Sequence, residues 1–198
     1  MKKPTEKLPR EFYERDTLTV ARELLGKIFV RQYRGKTLSG VIVETEAYTG
    51  ASDAAAHTYR GKTKRNEVMF KTGGHLYVYF TYGMHFCANV VTEREGMGHA
   101  CLLRAIEPLE GLELMKKNRG VSDVRQLTNG PAKLCQALNI SRPQNGIDLL
   151  GDEIYLLDAQ VLSDLGIGVS PRIGINVAVD LPYRFYIKGN EYISRKSK

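Results

Sequence analysis

At 198 residues, with 42% hydrophobic and 26% charged residues, the chain fits one globular domain long enough to bury a core. Lys and Arg outnumber Asp and Glu by 29 to 22, a net charge of +7, which favours a polyanionic partner: nucleic acid first, an anionic membrane surface second. The three cysteines (Cys87, Cys101 and Cys135) are far apart and form no C-x-x-C pair, which argues against a disulfide framework or a structural zinc site.

In chain order, residues 1–10 read as a flexible basic lead-in, and 11–198 as a single domain. The start, MKKPTEKLPREF, lacks the apolar core of a signal peptide, and no run approaches the ~18 apolar residues of a membrane span, so a cytosolic protein with reduced thiols is expected. Asp16 suits an N-cap, with Leu18, Ala21, Leu24 and Leu25 at helical spacing and Gly26 as the stop. Strands are expected over 27–32 and 40–48, a hairpin over 74–91, and another strand over 100–106. EPLEGLELMKKNRG reads as a helix with Pro108 in its first turn, and GPAKLCQALNI as a second helix started by Pro131. IYLLDAQ, PRIGINV and YRFYIKG complete the pattern as short strands. The fold class is α+β: one compact domain with a curved, largely antiparallel sheet, short flanking helices and a protruding β-hairpin.

Three stretches carry chemistry. In GVIVETEAYTG, period two puts Ile42, Glu44, Glu46 and Tyr48 on one face. On an isolated strand such a face is solvent-exposed. Here the strand starts apolar on both sides, as inner strands do, and an acid at the end of an inner strand is a candidate general base or metal ligand. His57 follows eleven residues after Glu46, without the partners that a zincin, a zinc deaminase or a serine hydrolase needs. In GGHLYVYFTYGMHFCANVV, Gly83 interrupts the alternation and marks a hairpin tip at Tyr82-Gly83. A tyrosine there either caps a neighbouring loop or projects as a wedge between base steps of a partner duplex. Arg60, Lys62, Lys64 and Arg65 cluster in a glycine-containing loop and are candidate phosphate contacts, whereas Lys116, Lys117 and Arg119 suit a helix C-terminus.

VETEAYTG…DAAAH, LYVYFTYGMHFCANV, LLRAIEPLEG and NGPAKLCQAL, taken together and in this order, resemble the alkyladenine (3-methyladenine) DNA glycosylases of the vertebrate type, which also occur in bacteria. The resemblance runs from about Phe12 to Gly189. It implies a monofunctional enzyme of base excision repair that rotates a damaged purine (3-methyladenine, 7-methylguanine, ethenoadenine or hypoxanthine) out of duplex DNA. The N-glycosidic bond is then hydrolysed to leave an abasic site, without metal or cofactor. By the same resemblance, Glu46 is the general base and Arg104 helps hold the attacking water. Tyr48, His57 and Tyr79 form the base pocket, Asn89 obstructs the amine of normal guanine, and Tyr82 is the intercalating wedge with Met84 beside it. Arg65 and Lys133 match backbone contacts, while Arg60 and Lys64 lie in a loop that departs from the family pattern. Glu44 receives no catalytic role. The implied molecule is a compact monomer of the bacterial cytosol and nucleoid that binds damaged double-stranded DNA and no membrane. Two other classes fit the residues alone: a metal-dependent nuclease using Glu44, Glu46 and Asp53, and a non-catalytic module whose tyrosines stack damaged DNA or RNA bases.

Overall fold

The computed structural model describes residues 6–159 and 163–194. It begins with two short helices, α1 (Arg10–Tyr13) and α2 (Thr17–Glu23). The Asp16 side chain caps α2 by accepting the Thr19 N–H at 2.9 Å, as its place in the sequence implies. Two strands follow, β1 (Ile28–Tyr33) and β2 (Lys36–Tyr48), and then the hairpin strands β3 (Leu76–Thr81) and β4 (His85–Thr92). After β5 (His99–Glu110) come helices α3 (Leu112–Arg119) and α4 (Pro131–Ala137), and the short strands β6 (Ile154–Leu157), β7 (Ile167–Ser170) and β8 (Arg184–Ile187).

The strands form one antiparallel sheet in the order β3-β4-β5-β2-β1-β6, with β7 paired to β8 and β8 paired to β2. Long β2 changes neighbours along its length: β1 flanks its first half, and β8 takes over at Glu44–Glu46, with β5 on the other side from Ser39 to Tyr48. The two sheet faces differ. Leu76, Val78, Ala88, Val90, Cys101, Leu103 and Ala47 enter the main core, which also holds Val20, Ala21 and Leu24 of α2 and Leu134 and Cys135 of α4. The alternate residues of the same strands face the other way, and they build the site described below. A hydrogen bond from Thr45 Oγ1 to the Ala21 carbonyl at 2.7 Å ties α2 to β2.

Within the expected lead-in, residues 1–5 lie outside the described residues, and residues 6–10 are docked on the sheet. Leu8 is buried, its N–H donates to the Leu156 carbonyl, and the Glu6 carbonyl accepts from the Asp158 N–H. Two expected elements are corrected. Pro108 belongs to β5 and not to a helix: it pairs with Gly40 where the β2–β5 register slips, and a slip tolerates a residue without an N–H. Helix α3 starts after it, behind Gly111. PRIGINV is irregular instead of a strand, because its backbone turns inward to serve the site, and β7 lies just before it. IYLLDAQ is a strand over Ile154–Leu157, and its last residue, Gln160, lies outside the described residues. The three cysteines are free and buried, and among the described residues no helix is long and apolar enough to cross a membrane.

Candidate active site

A single rung crosses five strands: Tyr77 on β3 pairs with Asn89 on β4, Asn89 with Leu102 on β5, Leu102 with Glu46 on β2, and Glu46 with Arg184 on β8. Residues opposite one another in an antiparallel sheet share a face, and so do residues two apart. That one face therefore gathers Tyr77, Tyr79, Cys87, Asn89, Leu102, Arg104, Glu46 and Tyr48. They line or underlie a cleft of about 320 Å³, closed on its other sides by Ala55 and His57, by the hairpin residues Thr81 and Tyr82, by Pro131, and by Ile173–Ile175. The volume falls at the small end of the ligand-pocket range, about 300–1,000 Å³.

The two glutamates are not a solvated face. Both are 0% exposed, because Arg104, Ile173, Arg184 and Ser194 cover their carboxylates where β8 pairs with β2. Glu46 Oε1 receives Arg104 Nη1 at 3.1 Å and the Ile173 N–H at 2.7 Å, while Oε2 accepts the Tyr48 hydroxyl at 2.9 Å. The cleft thus ends on the partners of Glu46 (Tyr48, Arg104 and Ile173), with the carboxylate one layer beneath. Burial, reinforced by the Glu46 charge, drives the Tyr48 hydroxyl far above its usual range, so it stays a donor at any working pH. Burial alone would weaken the hold of Arg104 on its proton, but the Glu46 and Glu44 carboxylates outweigh it and keep the guanidinium charged.

The chain between Tyr48 and His57 turns at Gly50. Its φ is +62°, and a Cβ there would lie 2.5 Å from the His99 ring, so both backbone and space require glycine. His57 is fixed from both sides: Asn66 Nδ2 donates to its carbonyl at 2.8 Å, and the following Thr58 donates through Oγ1 to the Gly98 carbonyl at 2.6 Å. Its Nδ1 meets the Tyr77 hydroxyl at 3.1 Å, and its ring packs edge-on against Tyr79, with centroids 4.5 Å apart at 81°. Tyr77 and Tyr79 stack at 26°, and burial pushes the Tyr77 hydroxyl up to about 12 and that of Tyr79 further still. The slot therefore offers aromatic faces and neutral hydroxyls. Asn89 is buried at its wall, with Nδ2 donating to the Tyr77 carbonyl at 3.2 Å.

Partial burial, and then the Arg65 charge, hold the His57 imidazole below its ordinary value of 6.5. The folded protein therefore binds that proton less readily than the unfolded chain, and the stability that neutral His57 supports is lost as pH falls below that ordinary value toward the folded one. In an NMR titration of the four histidines, His57 is expected to turn over below 6.5, and Arg65→Gln should move its midpoint upward. A midpoint at or above the ordinary value in the unsubstituted protein would contradict the partial desolvation of this ring.

Tyr82, Gly83 and Met84 form the hairpin tip, with Tyr82 at φ 51° and Gly83 at φ 68°. Tyr82 is 83% and Met84 69% exposed, far from the core that large apolar side chains normally join. Tyr82 lines the mouth of the cleft. Met84 does not, and faces a separate hollow of about 420 Å³ beside Phe86 and the α4 residues Ala132 and Cys135. Of the candidate cations, Arg65 donates to the Phe80 carbonyl at 3.3 Å along the hairpin flank. Lys133 donates to Asn129 Oδ1 at 2.8 Å, two residues from cleft-lining Pro131. Arg60 and Lys64 are exposed in the loop after His57.

Arg172 and the backbone of Ile173 are the contributors that the sequence reading missed. Arg172 pairs with buried Asp53 through both terminal nitrogens, donates to the Ala47 carbonyl at 2.9 Å, and lies over the Tyr48 ring at 4.6 Å. Its signal was a lone arginine beside Pro171 in an otherwise apolar, glycine-containing stretch. Asp53 and Glu44 are thus ion-paired to guanidinium groups, and among the described residues no group of three or more His, Cys, Asp or Glu side chains is arranged to hold a metal ion.

An aromatic slot with a buried carboxylate at its inner end and an exposed tyrosine at its mouth suits the class of proteins that handle one unstacked base. The family model described as Methylpurine-DNA glycosylase (MPG) matches residues 11–191. The chain is 54% identical over 190 residues to a protein of Carboxydothermus hydrogenoformans assigned as a 3-methyladenine DNA glycosylase, covering 96% of this chain and 99% of that protein. Proteins with the same assignment from Chlorobaculum tepidum (49% over 191 residues, 96% of this chain and 91% of that protein) and Methanoculleus marisnigri (50% over 192 residues, 96% and 99%) are similar along nearly the whole length. The chain belongs to the methylpurine-DNA glycosylase family, and is by that membership a DNA glycosylase, a hydrolase of N-glycosyl bonds.

Proposed function

We propose that the protein is a monofunctional glycosylase that excises alkylated or deaminated purines from duplex DNA by a Glu46-activated water, acting as a monomer in the cytosol. The observation that carries this reading is the contact set of Glu46: a buried carboxylate held by Arg104 and the Ile173 N–H at the inner end of an aromatic slot. Glycosidic cleavage builds oxocarbenium character on the sugar, so an anionic carboxylate in a dry site stabilises the transition state electrostatically as well as taking the proton from water. Among the described residues, Glu46 Oε2 accepts only the Tyr48 hydroxyl, which leaves lone-pair capacity for that water. Water attacks C1′, the base leaves with the glycosidic electron pair, and Arg104 keeps the carboxylate in place.

Tyr48, His57 and Tyr79 are assigned to the flipped base. Cationic 3-methyladenine and 7-methylguanine gain from the aromatic faces, and neutral ethenoadenine and hypoxanthine stack on the same surfaces. Asn89, anchored to the Tyr77 carbonyl, is assigned to reject the amine of guanine. Tyr82 is assigned as the wedge that fills the vacated stack, and Arg65, Lys133, Arg60 and Lys64 as contacts to phosphates.

The test is to incubate the protein, in EDTA, with duplexes each carrying one of these four lesions, and to score abasic sites by alkaline cleavage. Release of at least one base in EDTA is expected, and no release from any of them would overturn the reading. Tyr82→Ser is expected to lower the single-turnover rate on a paired lesion by about 10-fold or more, since unstacking costs a few kcal/mol that the wedge offsets. The melting temperature should hardly change, because the side chain is largely exposed. An unchanged rate would remove Tyr82 from the role of wedge.

A further inference from the structure

The Arg104 guanidinium has two working sides, and each meets a different carboxylate. Nη1 reaches Glu46 Oε1, while the opposite edge is occupied by Glu44 and Ser194: Nε lies 3.2 Å from Glu44 Oε1, and Nη2 lies 3.2 Å from Ser194 Oγ. Ser194 in turn donates to Glu44 twice, through Oγ to Oε1 at 2.9 Å and through its N–H to Oε2. Arg184 Nε completes the set at 2.6 Å from Glu44 Oε1, and its Nη1 donates to Ser170 Oγ at 2.9 Å. The segment that brings Ser194 in, 150 residues away from Glu44, is latched by Asn190 to Glu107 at 2.7 Å and by Glu191 to Arg125 at 2.9 Å.

We propose that Glu44, completed by Ser194, is a positioning group for the reaction: it clamps the Nε/Nη2 edge of Arg104, so that Nη1 is presented to Glu46 in one orientation. This rests on the roles proposed above for Glu46 and Arg104. An arginine beside a single carboxylate can grip it through either edge and swing between them. Here the second edge is already spent on Glu44 and Ser194, so a swing of the guanidinium would break those contacts. The strand makes this possible, because residues two apart on β2 point to the same side and one arginine from β5 can span them. The β2–β5 register is irregular on both sides of Glu44, which seats it against Ala105, next to Arg104. Stability alone does not account for the arrangement, since buried ion pairs are commonly no more stabilising than apolar residues of the same shape.

Glu44→Gln keeps the shape and one acceptor oxygen but removes the charge that grips two arginines. Its single-turnover rate on an ethenoadenine or hypoxanthine duplex is expected to fall by up to about 100-fold, the effect of misplacing a group at the chemistry. Affinity for the lesion duplex should stay within about threefold, since neither Glu44 nor the clamped edge is placed against DNA. The decisive readout is coupling: in an Arg104→Gln background the same Glu44→Gln change should cost almost nothing further, because its effect runs through that side chain. Ser194→Ala, the milder probe should Glu44→Gln fold poorly, is expected to cost about fivefold for one lost hydrogen bond, with Ser194→Thr restoring most of it. A merely structural role would lower the melting temperature but leave these rates and the coupling untouched. Wild-type release with Glu46→Gln inactive, but Glu44→Gln and Ser194→Ala at the wild-type rate or equally costly with and without Arg104, would overturn this proposal alone. No release by wild type would overturn the functional reading and this proposal with it.

Discussion

Glu46→Gln is expected to cut the single-turnover rate of base release by about 10²- to 10⁴-fold, the usual contribution of a general base, while the variant still folds and still binds the lesion duplex. The contacts explain why so small a change should act on chemistry alone. The amide oxygen of glutamine can still accept Arg104 Nη1 and the Ile173 N–H, and its NH₂ would face the Tyr48 hydroxyl, which can turn from donor to acceptor. On the proposed mechanism, what disappears is the proton acceptor and the negative charge that would face the sugar. Rate and binding should be measured on the same duplex. A rate within tenfold of wild type would shift the role of base to another group, whereas loss of binding would mean the site had collapsed.

Arg172→Met should have the largest effect on stability, about 3–5 kcal/mol, because it strands the Asp53 carboxylate at 0% exposure with no counter-charge. Among the described residues, Asp53 would retain only the N–H groups of Thr49 and Ala55. Urea unfolding measures the loss, and the paired change Asp53→Leu with Arg172→Met should recover at least half of it, since removing both charges ends the desolvation penalty. If the double variant were no better than Arg172→Met, the pair would not be what holds this region. Acid unfolding gives a second check. Burial alone would raise Asp53, but Arg172 and the two backbone donors bring it below its ordinary 3.8. The carboxylate therefore stabilises the fold above that value, and the contribution is lost as pH falls through it toward the lower folded one. Asp53→Asn should flatten the stability profile in that window.

How much of this was legible in the sequence differs by residue. The hairpin was readable because Tyr77 and Tyr79 alternate with Leu76 and Val78, and because Gly83 is the residue that a left-handed tip position demands. Pro108 misled because proline suits a helix start as well as a strand irregularity, and only the partner Gly40, on another strand, decides between them. The slot residues were individually ambiguous, and the family resemblance rather than spacing joined them. The burial of Glu44 and Glu46 was out of reach, because their partners Arg104, Ile173, Arg184 and Ser194 come from segments far downstream, up to 150 residues from Glu44. Arg172 was missed for the same reason: its segment folds inward to meet Asp53, a choice that no local pattern records.

The tip of the β3–β4 hairpin and the middle of β2 stand at opposite extremes of freedom to vary. A Cβ on Gly83 would meet nothing within 4 Å, and its neighbours Tyr82 and Met84 are largely free of their own fold. Apart from its left-handed backbone, the tip can exchange side chains without disturbing the core. Glu44 and Glu46 have strands on both sides and donors on every carboxylate oxygen, so a change at either disturbs several partners at once. If the proposed roles hold, descendants of this chain can retune how they probe the duplex by drift at the tip, whereas a new way of breaking the bond would require several coordinated replacements in the sheet.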